Sequence, residues 1–414
     1  MSGSLNPQQD LDLVRAIPKG PVFGWASMRS GASSGFVGVQ DLPHQAFTTS
    51  GRAALYHALR QAGLPANSRV LVPTYHCPTM IAPVLLAGHQ PSYFGIRPDG
   101  LPDLLRIEES EAGAARAMIV SHYFGLTQSL REVRAWCDAR GIVLIEDCAH
   151  SYFGQAGDRP VGAWGDYATT SLSKFFPLPE AGLLASAHRP LAPMQLRHQG
   201  AWPELKGCVD VLETGVRFRR LAGLNGLLGA CFRIKDRLRS SQSRPDAAPA
   251  VGQFTAEQLM RGSDMARIDA RPLLVSRALY ACVRPGRVVA LRRRNYDLYA
   301  AALGRLPGME HLAALPRNPA APYVYPIWVD DADRVYHGLR ALGVPVFRWD
   351  RIWPGTPRRT DDAGSLWSHH LLQLLCHQDL EVEDIEYSIR CLHEMLASTA
   401  STLEPASAEP LCEK

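Results

Sequence analysis

Between Thr48 and Ser186 the chain repeats one unit: a short apolar run, a turn, an amphipathic stretch and another apolar run. "RVLVPTYH", "QPSYFGI", "ARAMIVSHYFG" and "IVLIEDCAHS" read as strands. "TTSGRAALYHALRQAGLP", "MIAPVLLAG" and "SLREVRAWCDARG" read as the helices between them. A strand–helix–strand repeat implies parallel strands, because the crossover helix returns the chain to the same edge. "IVLIE" lacks polar alternation, which suits a strand covered on both faces. "DYATTSLSKFF" and "AGLLASA" add two more strands. The expected fold is α/β, with a mostly parallel central sheet between helical layers.

Residues 1–46 are rich in Gly, Ser and Pro and read as an N-terminal arm. A large domain is expected over 47–285. Within it, 203–261 breaks the rhythm as a basic helical insertion and Ser/Pro/Ala linker. "VVALRRRNYDLYAAALGRL" reads as a long helix leading into a smaller α+β domain over 286–398. There "YVYPIWV" and "VPVFRW" are strands, and "DRVYHGLRALG" and "VEDIEYSIRCLHEML" are helices. Residues 399–414 read as a flexible tail.

Hydrophobic residues make up 46% and charged residues 20% of the 414, as in an ordinary globular protein. A net charge of +4 is too small at this length to mark a nucleic-acid binder. Nine cysteines are scattered singly with no CxxC pair, which gives neither a zinc site nor a disulfide framework. Their odd number suits a reducing cytosol. The opening "MSGSLNPQQDLDLVRAIPKG" lacks an apolar core of signal-peptide length, and no run reaches membrane-spanning length. A cytoplasmic protein is expected.

Three stretches carry chemistry. In "TSGRAAL", Ser50 is placed to cap a helix whose N-terminus, with free N–H groups and a positive dipole end, suits a phosphate. Gly51 lets a ligand approach the backbone. In "VLIEDCAHSYFG", Asp147 sits at the C-terminal end of a buried strand, where α/β sheets place ligand contacts. It reads either as a loop carboxylate or as the partner of a protonated ring nitrogen; His150 follows three residues on. In "SLSKFFPLPEAG", Lys174 interrupts an apolar run 27 residues after Asp147. It is either an edge lysine facing solvent or a desolvated amine nucleophile. A phosphate-binding turn, a carboxylate for a pyridinium and an amine for an aldehyde are together the handles of pyridoxal 5′-phosphate (PLP).

In this combination and order the chain resembles the DegT/StrS-type aminotransferases, fold-type-I PLP enzymes acting mostly on nucleotide-linked keto sugars. The resemblance runs over 48–186 and more faintly over 292–396. It implies that Ser50, Gly51, Arg52 and Ser171 hold the cofactor phosphate and that Asp147 partners the pyridine nitrogen. His150 then lies near the ring hydroxyl, and Lys174 is the Schiff-base lysine. It implies that either Tyr75 or His76, in "VLVPTYHCPTM", stacks on the ring. It further implies a homodimer, an amino donor such as glutamate and a keto acceptor. "PEAG" stands where the family has a glycine-rich turn, and the basic insertion stands where it has Asn-Tyr-Arg. The family's sugar 3-dehydratases carry His at the lysine position, so Lys174 argues against that branch.

Other readings are a PLP enzyme of the same fold with a different acceptor or reaction, and a catalytically silent binding relative. The amphipathic, basic order of 217–245 also fits peripheral membrane contact, against the plainer reading of a helical insertion packed on the domain.

Overall fold

The computed structural model describes residues 16–28, 36–239, 254–317 and 320–400. The expected tail over 399–414, the start of the expected arm and the linker over 240–253 lie wholly or almost wholly outside the described residues.

The α/β repeat forms as β1 (His44–Thr48), α1 (Gly51–Gln61), β2 (Arg69–Pro73), α2 (Pro78–Leu86), β3 (Gln90–Phe94), α3 (Glu109–Ala114), β4 (Ala115–Ser121), α4 (Arg131–Asp138) and β5 (Val143–Asp147). A two-residue hairpin, β6 (Gln155–Ala156) and β7 (Arg159–Pro160), precedes β8 (Tyr167–Ser171) and β9 (Gly182–Ser186). Seven strands make one sheet in the order β1-β9-β8-β5-β4-β2-β3. From β3 to β8 every pairing is parallel, and β9 runs antiparallel to both β8 and β1. Leu144 and Ile145 on β5 and Ala117 to Val120 on β4 are buried, as expected of strands covered on both faces.

One charged residue sits inside this core. Glu146 is fully buried, and its carboxylate accepts the N–H groups of Gly162, Trp164 and Gly165 and bonds His122 Nε2 at 2.8 Å. Removing it would leave three backbone donors unpaired, at about 1–3 kcal/mol each. It fixes the loop between β5 and β8 and thereby the strand end that carries Asp147.

The expected insertion over 203–261 coincides with α5 (Ala201–Arg217), α6 (Asn225–Arg239) and α7 (Ala256–Gly262), and α8 (Leu274–Cys282) follows it. The inward stripe of α5 is Gly207, Val211 and Gly215. A Cβ on Gly207 would meet the Leu273 side chain at 2.6 Å, so glycine permits close packing beside α8. Then come α9 (Pro285–Leu303), β10 (Val324–Trp328), α10 (Ala332–Ala341), β11 (Val346–Phe347), α11 (Ala363–His370), β12 (Leu371–Leu375) and α12 (Val382–Ala400). β10, β12 and β11 form an antiparallel sheet on which α9 and α10 pack, with α12 packed against both helices.

Three boundaries differ from the sequence reading. β1 begins at His44, inside the stretch read as an arm, because its five residues pair with β9 along its whole length. The strand read over "DYATTSLSKFF" ends at Ser171, and a 3-10 turn over Leu172–Lys174 follows. Of "VPVFRW" only Val346 and Phe347 form a strand, which frees Arg348 and Trp349 for the surroundings of the site.

Candidate active site

At the C-terminal ends of the parallel strands lies a cavity lined by Ser50, Gly51, Asp147, His150, Ser171 and Lys174, among others. Each arrives on a different turn. Ser50 caps α1: its Oγ accepts the Ala53 N–H at 3.2 Å and its carbonyl accepts that of Ala54. Such a cap contributes about 1 kcal/mol. The N–H groups of Gly51 and Arg52 take no acceptor among the described residues, as expected of the first turn of a helix. A Cβ on Gly51 would stand 3.2 Å from the Ser171 Cβ, so glycine lets β8 and α1 meet at the cavity. Gly182, the glycine of "PEAG", pairs with Ser171 and Thr48 and passes against the Ser50 carbonyl, where no Cβ fits. That single glycine meets the close approach here. Arg52 lines the same cavity and pairs through Nη2 with Asp264 at 3.1 Å.

Asp147 ends β5 in register with Ser121 on β4 and Thr169 on β8. Its Oδ1 accepts the Ala149 N–H at 3.0 Å, and no ion pair holds it among the described residues. Burial pushes its carboxyl pKa up; the Lys174 charge, the Ala149 bond and His122 oppose this. Lys174 is one of five lysines in the chain. Lys206 and Lys235 pair with Asp210 and Glu213, and Lys19 is exposed. Lys174 forms no ion pair among the described residues and lies 5.0 Å from the Tyr323 ring centroid. Burial lowers its pKa, which favours the neutral amine. A half-buried carboxylate and a half-buried amine, both partly desolvated on one cavity wall, are a costly arrangement for a purely structural site. A ligand with a cationic ring nitrogen, an aldehyde and a phosphate would satisfy the carboxylate, the amine and the N-terminus of α1 together. The residues present therefore fit PLP.

The turn that carries Lys174 is held from the second sheet's side. Arg292, fully buried on α9, donates to the Lys174 carbonyl and to Pro322 O at 3.1 Å, bonds Gln378 Oε1 at 3.0 Å and lies over the Phe175 ring. Gln378 donates to the Phe175 carbonyl at 2.8 Å. Burial brings the Arg292 pKa down to about 10, so it stays charged at neutral pH. His150 accepts the Phe124 N–H through Nδ1 at 3.3 Å and stacks on Tyr323 at 4.4 Å between ring centroids. Burial and the Lys174 charge hold His150 well below its ordinary pKa, so it is neutral. Its Nε2 then carries the proton.

Tyr75 and His76, the two candidates for ring stacking, do not line the cavity. Tyr75 is buried among Tyr123, Phe124, Trp349 and Trp367, and its hydroxyl accepts a bond from Gln373. The His76 ring bonds Pro73 O and accepts the Trp353 N–H, and it stacks on Tyr93. The reason is the turn: Pro78 starts α2, so Cys77 becomes the N-cap and faces the cavity in their place. Trp349, 4.8 Å from the His150 ring, also lines the cavity, as does His122. The sequence reading missed Cys77, His122, Trp349, Tyr323 and Arg292. A usable signal existed only for His122, which opens the turn after β4, beside Asp147.

Residues 35–198 match the profile described as the DegT/DnrJ/EryC1/StrS aminotransferase family. An L-glutamine:2-deoxy-scyllo-inosose aminotransferase of Streptomyces kanamyceticus is 29% identical over 42% of this chain and 41% of its own length. The GDP-perosamine synthase of Vibrio cholerae is 25% identical over 39% of this chain and 46% of its own length. The matched stretch thus spans less than half of these curated relatives. A crystal structure of a DegT DnrJ EryC1 StrS aminotransferase from Brucella abortus superposes with a TM-score of 0.51 at 19% identity, covering 85% of this chain and 86% of that one. At that identity the likeness speaks for the fold. Over the segment 35–198, which carries the strands, the cap and the lysine turn around the cavity, the chain is similar to the DegT/DnrJ/EryC1/StrS aminotransferase family.

Proposed function

We propose that this chain is a PLP-dependent aminotransferase that moves an amino group from glutamate to the ketone of a sugar. The observation that carries the reading is the shared cavity of a half-buried Lys174 amine outside any ion pair among the described residues, a half-buried Asp147 carboxylate and the capped N-terminus of α1. When bound, PLP supplies an aldehyde that takes up amines and a ring that accepts an electron pair.

The chain's own residues do the rest. Ser50, Gly51, Arg52 and Ser171 would hold the phosphate, with the α1 dipole adding to the attraction. Asp147 keeps a proton on the ring nitrogen, since a cation there removes the penalty of its own burial. Lys174 Nζ would bind the cofactor's aldehyde and, as a neutral amine, would carry the proton at the donor's Cα. Arg292 and Gln378 keep the Lys174 backbone fixed while the side chain swings. His150 Nε2–H orients the ring hydroxyl. Trp349 and Tyr323 screen the amine from water, which keeps its pKa low.

The acceptor is read as a keto sugar because the matched relatives include a nucleotide-sugar enzyme. A cyclitol ketone is the second reading, supported by the inosose aminotransferases. A homodimer in the cytoplasm is part of the proposal; no helix among the described residues is long and apolar enough to cross a membrane. The reading predicts that PLP-loaded protein mixed with glutamate alone releases stoichiometric 2-oxoglutarate in a single turnover. Release of none, with another amine giving its oxo acid instead, would reject glutamate as the donor. Release from no amine at all would reject the aminotransferase.

A further inference from the structure

Eight of the nine cysteines fall among the described residues, and their surroundings sort them. Cys137, Cys148, Cys376 and Cys391 are buried, while Cys208, Cys231 and Cys282 are exposed on α5, α6 and α8. Of the eight, only Cys77 is half-buried, and it lines the candidate active site. Its place follows from the turn. Pro78 opens α2 and makes Cys77 the N-cap, but the thiol does not cap the helix; Sγ bonds the Thr79 hydroxyl instead. Thr79 lines the same cavity, so this bond keeps the sulfur on the cavity wall. The sulfur also lies close to the lysine: of the groups that raise the Lys174 pKa against its burial, Cys77 acts more strongly than Asp147.

A second atom at this cavity lacks a partner. His122 is buried, and its Nε2 donates to Glu146, whose carboxylate also accepts three backbone N–H groups. His122 Nδ1 takes no hydrogen bond among the described residues, and the residue lines the cavity. A buried nitrogen without a partner, beside an amine outside any ion pair, marks a space shaped for a ligand.

We propose that Cys77 faces the ring of the bound cofactor, so that covalent modification of its thiol and cofactor loading exclude one another. On the PLP reading given above, with the phosphate at α1, the ring nitrogen at Asp147 and the aldehyde at Lys174, a thiol beside Lys174 stands against the ring. Tyr75 and His76 leave that place open, since neither lines the cavity. A bare sulfur packs well on an aromatic ring. A bulky group carried on that sulfur would take the ring's own space. The cofactor site thus holds a thiol-sensitive lock.

The probe is N-ethylmaleimide. The Cys77 sulfur adds to its double bond: one C–S bond forms, the thiol proton passes to the neighbouring carbon, and nothing is oxidised or released. The full chain is treated with and without prior PLP loading, labels are mapped by mass, and loading is read from the absorbance of bound cofactor. Cys77 should label in the cofactor-free protein and roughly tenfold more slowly once PLP is bound, because access governs the rate. Cys208, Cys231 and Cys282 should label alike in both states. Protein labelled at Cys77 should no longer take up PLP, whereas Cys77→Ala given the same treatment should still take it up. Equal labelling of Cys77 with and without bound PLP would overturn the proposal and leave the cofactor reading standing, as would PLP uptake by protein labelled at Cys77. A cofactor-free Cys77 that resists the reagent would overturn it too. Uptake lost in the treated alanine variant would assign the block to another cysteine, with the same consequence. A chain that takes up no PLP under any condition would remove both the proposal and the cofactor reading.

Discussion

Lys174→Ala is expected to lower transamination by at least about 10⁴-fold, because one side chain is asked both to hold the cofactor and to move the proton. The fold should survive. The substitution removes a half-buried amine that forms no ion pair among the described residues and whose desolvation disfavours its charged form. Removing that desolvation cost means that the melting temperature of the cofactor-free protein should hold or rise. The backbone of the turn keeps its anchors, since Arg292 and Gln378 bond the carbonyls of residues 174 and 175 and not the lysine side chain. Paired measurements of turnover and thermal unfolding check this. Activity within tenfold of wild type would remove Lys174 from the chemistry.

Asp147→Ala should be the next most damaging change. An opposite charge against a titrating group shifts its pKa by about 1–3 units, so losing the carboxylate would cost about 10- to 1000-fold in the proton-transfer half-reaction. Asp147→Asn should fall in the same range, because an amide keeps the shape and the Ala149 bond but not the charge. The cofactor-free protein should again be no less stable, since burial raises this carboxyl's pKa by more than the Lys174 charge, the Ala149 N–H and His122 together lower it. Cofactor affinity should weaken in both variants. If instead the alanine variant unfolds at lower temperature and the asparagine variant retains full activity, Asp147 is a loop anchor and not a ring partner.

These two residues were legible in the sequence for different reasons. Asp147 follows an uninterrupted apolar run, which places it at a strand end in any parallel sheet. Lys174 stood out because it interrupts an apolar stretch. The order of the sheet strands followed less directly: only the pairings show that β9 reverses between β1 and β8. Arg292, Tyr323, Trp349 and Gln378 were not legible as site residues. They come from the second sheet and its helices, more than 100 positions beyond Lys174, and their role depends on a packing that local patterns do not encode. Tyr75 and His76 were singled out for their ring type, but the proline that opens α2 sets which side chain of that turn faces inward, and it selects Cys77.

The central claim is that Lys174 is the amine that holds the cofactor. The direct measurement is reduction of the PLP-incubated protein with borohydride, followed by mass mapping of its lysines, of which the chain has five. The account predicts the added mass of a reduced pyridoxyl phosphate on the peptide carrying Lys174, and none on those carrying Lys19, Lys206, Lys235 or Lys414. Labelling at one of those four instead, or no labelling under conditions that load the cofactor, would contradict it.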